Sequence, residues 1–163
     1  MTFLARPAHV LFRALWNRLP ISLQSGLIYL GAPKVTMGVC AVIADAQGRL
    51  LLVHHTLRHR GWDLPGGLMR RHEDPASAVA REVEEELGVR ATVGPVLHVD
   101  NALARRHVTI FYQVWIAGEP RHDLETDGHR YVTLGEYPQI KGVEAATWVQ
   151  KHLLPAMRTE EPR

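Results

Sequence analysis

Residues 67–89 read GLMRRHEDPASAVAREVEEELGV, and this stretch holds the strongest pattern of fixed spacings in the chain. It has the form G-x5-E-x7-R-E-apolar-x-E-E-x-G-apolar, and the matching positions are Gly67, Glu73, Arg81, Glu82, Val83, Glu85, Glu86, Gly88 and Val89. With each residue type at roughly 7% of positions, the fixed identities match by chance on the order of once in 10⁸ starting positions. The pattern is therefore a specific signature.

The centre of this stretch predicts a helix over residues 75–87. Asp74 suits the N-cap, Pro75 suits the first turn, and Gly88 suits a stop at the C-terminal end. Apolar residues recur at helical spacing and predict the face that packs on the core, namely Ala76, Val79, Ala80, Val83 and Leu87.

Three glutamates of this helix point to metal chemistry. Glu82, Glu85 and Glu86 stand at i, i+3 and i+4, so their carboxylates converge on one side. Carboxylates that lie so near one another repel, and a hard divalent cation such as Mg²⁺ or Mn²⁺ removes the repulsion. Such a metal bridges a diphosphate and activates water. A run of glutamates is usually a solvated helix face, but the other fixed positions favour the metal interpretation here.

The pattern resembles the Nudix box, the signature of metal-dependent hydrolases that cleave nucleoside diphosphates linked to another group. The resemblance covers about residues 35–155. It implies an α/β fold, the Nudix-type α/β/α sandwich with a mixed β-sheet. It also implies that the three box glutamates act in catalysis and bind Mg²⁺ or Mn²⁺, that the Gly66 carbonyl is an additional ligand, and that Arg81 orients the carboxylates. Gly67, Glu73 and Gly88 are implied as structural support.

A general base is expected from a later loop, as in many Nudix enzymes. Residues 123–138 read DLETDGHRYVTLGEYP and resemble the family segment in which an acidic residue stands six positions before a tryptophan. Glu125 stands six positions before Tyr131, so we favour Glu125 as base or extra metal ligand. The alternatives are Asp127, Glu119 and Glu82.

The segment HHTLRHRGW over residues 54–62 is the first candidate for substrate contact. Arg58 and Arg60 suit phosphate, because a guanidinium matches its geometry, and His59 lies between them. Trp62 suits either stacking on a base or anchoring the loop. A histidine metal site in this segment would be redundant beside the carboxylates.

The apolar runs predict the rest of the domain. Residues 35–44 and 49–55 read as strands that form a hairpin around a turn at 45–48. Further predicted elements are helices over 22–30 and 143–154, strands over 91–100, 106–117 and 129–134, and a basic loop over 56–63. This order implies a mixed sheet with helices on its faces.

The beginning of the chain is basic. Residues 1–44 carry four basic and no acidic residues, whereas the remainder carries 15 basic and 17 acidic residues. Residues 5–19 predict an amphipathic helix, which is typical of a transit peptide, of a membrane-surface helix, or of a helix packed on the core or on a second subunit. We favour packing, since no linker separates this segment from the first strand. The predicted divisions are a helical extension 1–34, a Nudix domain 35–157 and a polar tail 158–163.

Composition excludes several classes of protein. No apolar run in the 163 residues reaches the roughly 20 needed to span a bilayer, so stable membrane insertion is not expected. Cys40 is the single cysteine, which excludes an intrachain disulfide and fits a reducing, cytoplasmic setting. The sequence lacks the interleaved basic and aromatic residues that are typical of RNA-binding proteins, so a nucleic-acid partner is not expected.

The favoured function is pyrophosphohydrolysis of a small-molecule nucleotide, either a sugar nucleotide such as ADP-ribose or a nucleoside triphosphate. The alternative is a non-catalytic Nudix module that senses a nucleotide, although such modules usually have an eroded box. Isomerase chemistry on allylic diphosphates would need a cysteine nucleophile, and Cys40 lies in a predicted buried strand. The resemblance is also compatible with a homodimer.

Overall fold

The computed structural model describes residues 6–56, 61–102, 106–121, 126–133 and Glu136. The chain divides into two compact units, Met1–Lys34 and Val35–Arg163. The predicted helix over 143–154 and the predicted tail lie outside the described residues. In the described part, no helix is long and apolar enough to cross a membrane. The elements are, in order, α1 Arg6–Trp16, α2 Ile21–Gly31, β1 Thr36–Val42, β2 Leu50–His55, β3 Gly61–Asp63, β4 Gly66–Leu68, α3 Pro75–Leu87, β5 Arg90–Ala102, β6 His107–Ala117 and β7 Thr126–Val132.

The first unit consists of α1 and α2, which confirms the expected helical N-terminal extension. A short turn joins the two helices, and Gln24 holds it. The Gln24 side-chain amide donates to the carbonyl of Trp16 at 3.0 Å and to that of Leu19 at 2.9 Å. These bonds tie the start of α2 to the last residue of α1 and to the turn between the helices.

The described residues of the second unit form two sheets. A four-stranded sheet has the order β4-β1-β6-β5, and a three-stranded sheet has the order β3-β2-β7. In the first sheet β1 and β6 are parallel, whereas β1–β4 and β5–β6 are antiparallel. The second sheet is antiparallel throughout. The α/β class and the mixed sheet are confirmed.

The predicted hairpin of the first two strands is wrong beyond its turn. Ala44 and Leu50 form an isolated antiparallel bridge, and the Leu51 amide donates to Ile43 at 2.9 Å. Past that point the two strands belong to different sheets. The edges of β1 are taken by β4 and β6, and those of β2 by β3 and β7. An apolar run predicts a buried strand but not its partner, because burial on both faces leaves register and neighbours open.

Helix α3 covers one face of the core. Alternate residues of β1 point to opposite faces, so Val39 and Ala41 join the cluster under α3, as does Ile43 just after the strand, while Val42 belongs to a second cluster. The cluster under α3 contains Val39, Ala41, Ile43, Leu51, Val53, Ala78, Val79, Val83, Leu87, Val89, Tyr112 and Val114. The second cluster contains Val42, Leu50, Leu52, Leu64, Phe111 and Val132.

Two short strands were not predicted from the sequence. β3 lies inside the segment that was expected to be a basic loop, and β4 lies in the glycine segment after it, where no strand was predicted. Each has three residues, which is too short for a period-two pattern to be recognised. β4 has the greater consequence of the two, because it lies between β1 and the glutamates of α3.

Helix α3 should depend measurably on its N-cap. The Asp74 carboxylate accepts from the Ser77 amide at 3.0 Å. Asp74→Ala removes this acceptor and should lower the free energy of unfolding by about 1 kcal/mol. Asp74→Asn keeps an acceptor and should stay within about 0.3 kcal/mol of the parent chain. Urea denaturation followed by circular dichroism measures both, and equal stability of the alanine variant would contradict the cap.

Candidate active site

The glutamate-bearing helix has the ends that the sequence predicts. Asp74 caps its N-terminus and Pro75 occupies the first turn. Gly88 takes a left-handed conformation with φ 63°, and its amide donates to the Glu84 carbonyl at 3.0 Å. A residue with a side chain is strained at such a φ, so glycine ends the helix here.

The apolar face of α3 sets the rotation of the helix. Val79, Val83 and Leu87 have no exposed surface. Fully burying a side chain of this size is worth about 1.5–3 kcal/mol, so turning the helix about its axis would cost several times that amount. With this rotation fixed, Glu82 and Glu86 reach the backbone of β4.

Arg81 is the centre of the carboxylate network. Its Nε and Nη2 donate to the two oxygens of Glu73 at 2.7 and 3.0 Å. Its Nη1 donates to Glu82 at 2.7 Å and to Glu85 at 2.9 Å. Nη2 also approaches the Leu68 carbonyl at 3.3 Å. The predicted role of Arg81, to support and orient the carboxylates, agrees with these contacts.

The contact between Glu73 and Arg81 favours the charged form of both groups. Hydrogen bonds from Arg81 and from the Arg70 amide lower the pKa of Glu73 to about 2. Hydrogen bonding to Glu73 is also the main cause that raises the pKa of Arg81 above its ordinary value. The Arg70 amide donates to Glu73 at 2.7 Å, so Glu73 ties the start of the loop to the helix. This placement fits its predicted bracing role.

Glu82 lies directly against β4. A Cβ built on Gly67 would come within 2.6 Å of the Glu82 carboxylate. Any side chain at position 67 would therefore push the carboxylate away from the strand. The glycine that opens the box is required by this close approach.

Glu85 is the exposed member of the three box glutamates, with 46% of its side chain open to solvent. Arg81 holds one of its oxygens at 2.9 Å, and Arg70 Nη2 donates to the other at 2.8 Å. Arg70 was not identified as a site residue from the sequence. It lies three residues before Glu73 in the box, at a position the pattern leaves open.

Glu86 is buried, with 5% of its surface exposed. Its Oε2 accepts from the Gly66 amide at 2.9 Å, and its Oε1 lies 3.6 Å from His55 Nδ1. The Thr126 hydroxyl donates to the Glu86 backbone carbonyl at 2.9 Å. Strand β2 supplies His55 and strand β7 supplies Thr126, so the second sheet contacts the site at Glu86.

Gly66 has a backbone that other residues cannot adopt. Its φ is 152°, and a Cβ there would lie 2.2 Å from the Val39 carbonyl oxygen. The contact seen at this residue is from its amide to Glu86, and the predicted metal contact of its carbonyl stays a prediction. Gly66 thus lets β4 approach β1 closely and offers its amide to Glu86, while Gly67 leaves room for Glu82.

The donor set of this cluster suits a hard divalent cation. Among the described residues, no three His, Cys, Asp or Glu side chains are already grouped as a metal site. The carboxylates around Arg81 nevertheless outnumber the guanidinium groups that contact them, which are those of Arg70 and Arg81. Surplus negative charge on oxygen ligands is the environment that Mg²⁺ and Mn²⁺ prefer.

Cys40 lies on β1 opposite Gly66. Burial, and then the nearby carboxylates of Asp63, Glu86 and Glu82, raise the pKa of its thiol well above the ordinary value. A thiol in these surroundings stays protonated and is a poor nucleophile. This disfavours isomerase chemistry that depends on a cysteine nucleophile, in line with the position of Cys40 in a predicted buried strand.

Comparison with known proteins decides the family. The family model for the NUDIX domain matches residues 34–157, which include the whole box. The chain belongs to the Nudix family. The CMP-5'-(N-acetyl-N-hydroxy-3-aminopropyl)phosphonate hydrolase of Streptomyces rubellomurinus (strain ATCC 31215) is 47% identical over 55 residues, covering 30% of this chain and 25% of that protein. A MutT-like protein of Streptomyces ambofaciens is 31% identical over 94 residues, covering 53% of this chain and 60% of that protein.

Structural comparison agrees on the fold. The MutT protein of Methanosarcina mazei Go1 superposes with a TM-score of 0.63 at 23% identity, covering 76% of this chain and 94% of that chain. At this identity the likeness shows the Nudix fold alone. The chain spans about a quarter and about three fifths of the lengths of the two curated Streptomyces relatives.

The predicted substrate residues are only partly within the described chain. Arg58, His59 and Arg60 lie outside the described residues, as does Glu125. Trp62 is half-buried on β3, with its ring 4.3 Å from the Arg130 guanidinium and 5.1 Å from the His54 ring. Its side chain also packs against the second core cluster. These contacts fit the loop-anchor alternative for Trp62, and a stacking role stays a prediction.

Of the alternative bases, Glu119 is exposed, and the side chain of Asp127 is outside the described part. Sequence reasoning missed His55 and Thr126 as neighbours of Glu86. His55 had a signal, since it ends an apolar strand beside a basic segment. Thr126 had none, because a threonine that begins a strand is common and its contact with α3 spans forty positions.

The two box-entry glycines should respond differently to alanine. Gly66→Ala meets backbone and an unsuitable φ, so the free energy of unfolding should fall by about 2 kcal/mol or more. Gly67→Ala meets only the end of a flexible side chain, so the loss should stay below about 1 kcal/mol. Urea denaturation of both variants tests this, with Gly26→Ala as control because nothing lies within 4 Å of its added Cβ. Equal losses at 66 and 67 would contradict the close approach of β4 to β1.

Proposed function

We propose that this Nudix protein is a metal-dependent pyrophosphohydrolase that cleaves the diphosphate linkage of a nucleoside diphosphate joined to another group. The observation that carries the proposal is the complete box on α3, with Arg81 contacting three of its carboxylates. A box that served only to stabilise a helix would not need the buried Glu86 bonded to the Gly66 amide, or a glycine at position 67 that leaves room for Glu82. Family membership supports the same reaction class.

Glu82, Glu85 and Glu86 are the residues that would hold Mg²⁺ or Mn²⁺, with the Gly66 carbonyl as an additional ligand. When bound, such an ion neutralises the diphosphate and lowers the pKa of a coordinated water. The chain contributes rigidity. Glu82 is held by Arg81 and by contact with Gly67, and Glu86 by the Gly66 amide. Groups fixed in advance lose little freedom when the charged substrate arrives.

Arg81 limits the repulsion among the carboxylates before a cation binds. Its two short contacts with Glu73 anchor the guanidinium, while Nη1 is shared between Glu82 and Glu85. The shared contacts are those that a cation would weaken, and the Glu73 pair would remain. Arg81 is accordingly proposed as the residue that keeps the helix folded and the carboxylates aimed in both conditions.

Hydrolysis also needs a group that orients or deprotonates the attacking water. We favour Glu125, which belongs to the family-like segment 123–138 and comes directly before strand β7. Thr126 is the next residue along the chain, and its hydroxyl donates to the Glu86 carbonyl. Consecutive Cα atoms are about 3.8 Å apart, so the contact of Thr126 supports a role for its neighbour near α3. Glu119, Asp127 and Glu82 are the alternatives.

The proposed substrates are sugar nucleotides such as ADP-ribose and nucleoside triphosphates. The name of one relative describes a CMP phosphonate, which is also a nucleotide joined through phosphorus to a second group. Arg58, His59 and Arg60 are proposed to contact the phosphates, with Trp62 as a further substrate contact. Attack of water on one phosphorus would release a nucleoside monophosphate and a phosphorylated partner, or pyrophosphate from a triphosphate.

Substitution of Glu85 or Glu86 should lower turnover far more than substitution of the neighbouring Glu84. Glu85→Gln and Glu86→Gln each remove a charge but keep an oxygen, so turnover with Mg²⁺ or Mn²⁺ should fall by about 10²-fold or more with the fold intact. Glu84→Gln is the matched control, since Glu84 is exposed on the same helix and lies outside the pattern. Hydrolysis of a panel of sugar nucleotides and nucleoside triphosphates, with and without EDTA, gives the rates. Near-parental turnover in either variant would reject the metal assignment. Nucleotide binding without any turnover by the parent chain would identify a sensing module instead.

A second measurement tests the base. Glu125→Gln should lower the turnover by about 10²–10⁴-fold while substrate and metal affinity change little, because the side chain would act on water. Asp127→Asn and Glu119→Gln serve as comparisons under saturating substrate. An unchanged rate for Glu125→Gln, together with a large loss in one of the others, would move the role to that residue.

A further inference from the structure

The first unit exposes an unusual amount of apolar surface. Helix α2 reads ISLQSGLIYLG and contains no charged residue. None of its residues is buried, and its large side chains are distributed around the whole helix. Within this unit, large apolar side chains that are at least 45% exposed are Val10, Leu11, Phe12, Leu15, Ile21, Leu23, Leu27, Ile28, Tyr29 and Leu30.

A helix with large apolar side chains on all sides is stabilised when other groups shield those side chains from water. Such helices are normally found inside a protein core or in contact with lipid. Exposed apolar patches of more than a few hundred Å² mark an interaction surface in soluble proteins. The apolar side chains of α1 and α2 are therefore expected to form an interaction surface, and the charge of this unit indicates which kind of partner suits it.

Helix α1 is sided. Leu11 and Leu15 are one turn apart and are 62% and 56% exposed. Arg13 falls between them in sequence and so lies about 160–200° away around the helix. A basic face opposite a leucine face is the arrangement of helices that lie flat in a membrane interface. Trp16 and Tyr29 add amphipathic rings, and the Lys34 ammonium lies 5.2 Å from the Tyr29 ring centre. Aromatic and basic residues are enriched at that depth.

The charge of this unit selects an anionic occupant. Residues 1–44 contain Arg6, Arg13, Arg18 and Lys34 and no acidic residue. Two copies meeting through this surface would bring like charges together, which disfavours a dimer formed there. An anionic lipid surface offers both the apolar layer and the opposite charge.

We propose that helices α1 and α2 bind the surface of an anionic lipid bilayer, lying in its plane with their apolar side chains inserted at the level of the headgroups. Each helix has 11 residues and is about 16 Å long, against a hydrocarbon core of about 30 Å, so neither crosses the membrane. The sequence favoured packing for the amphipathic start and left a membrane-surface helix as an alternative, and we take that alternative here on the exposed apolar side chains and the charge of the unit. This proposal is independent of the hydrolase activity.

Vesicle binding by the full-length chain tests the proposal. Co-sedimentation with vesicles of phosphatidylcholine mixed with phosphatidylglycerol should capture the protein, and vesicles of phosphatidylcholine alone should capture at least about tenfold less. Raising the salt to about 1 M shortens the Debye length to about 3 Å and should release most of it. Absence of binding to the anionic vesicles would overturn the proposal, as would equal binding to both vesicle types.

Paired variants separate the contribution of the basic side chains to vesicle binding from that of the apolar side chains. Arg13→Gln with Arg18→Gln should weaken binding by about fivefold for each charge, whereas Arg13→Lys with Arg18→Lys should keep it. Leu11→Gln with Leu15→Gln should also weaken binding by about tenfold or more, because both leucines would leave the apolar layer. Unchanged binding of the leucine variant would reject insertion. Light scattering without lipid completes the test. If the parent chain is a dimer, the leucine variant is a monomer and the parent chain does not bind vesicles, the surface belongs to an interface with a second copy.

Discussion

The contact between the Arg81 guanidinium and the carboxylates around it is the interaction on which the site depends. One planar group with five donors contacts Glu73, Glu82 and Glu85 and approaches the Leu68 carbonyl. A lysine would offer a single point of charge and could not hold these acceptors in fixed directions. The glutamates that the proposed chemistry needs are therefore kept close together by a cation that belongs to the fold.

That arrangement is possible only because β4, the strand that faces the glutamates, has glycine at two of its three positions. β4 presents Gly67 to Glu82 and the Gly66 amide to Glu86. A side chain at position 67 would collide with Glu82, and one at position 66 would collide with the backbone of β1. The buried face of α3 completes the constraint, since Val79 and Val83 fix the rotation of the helix. Packing, backbone conformation and charge thus act on the same few ångströms of space.

Much of this could be predicted from the sequence, and particular residues show why. Asp74 and Gly88 mark the ends of α3 because capping is a local effect. The spacing of the box identified Arg81 and its glutamates, since a helix converts sequence separation directly into direction. By contrast, the β1–β2 hairpin was wrong beyond its turn, and His55, Arg70 and Thr126 were missed as neighbours of the box glutamates. Their contacts join elements distant in sequence, or, for Arg70, a box position that the pattern leaves open.

The sequence by itself determined the helix, its caps, the membership of the box and the segregation of positive charge into the first 44 residues. These are properties of residue type and spacing, and they survive without knowing which strand lies beside which. Only the tertiary structure decided that β1 and β2 enter different sheets, that Glu86 is buried against Gly66 while Glu85 stays exposed, and that the two N-terminal helices carry exposed apolar surface. Each of these depends on which backbone fills the space next to a side chain, and that is set by long-range packing rather than by local sequence.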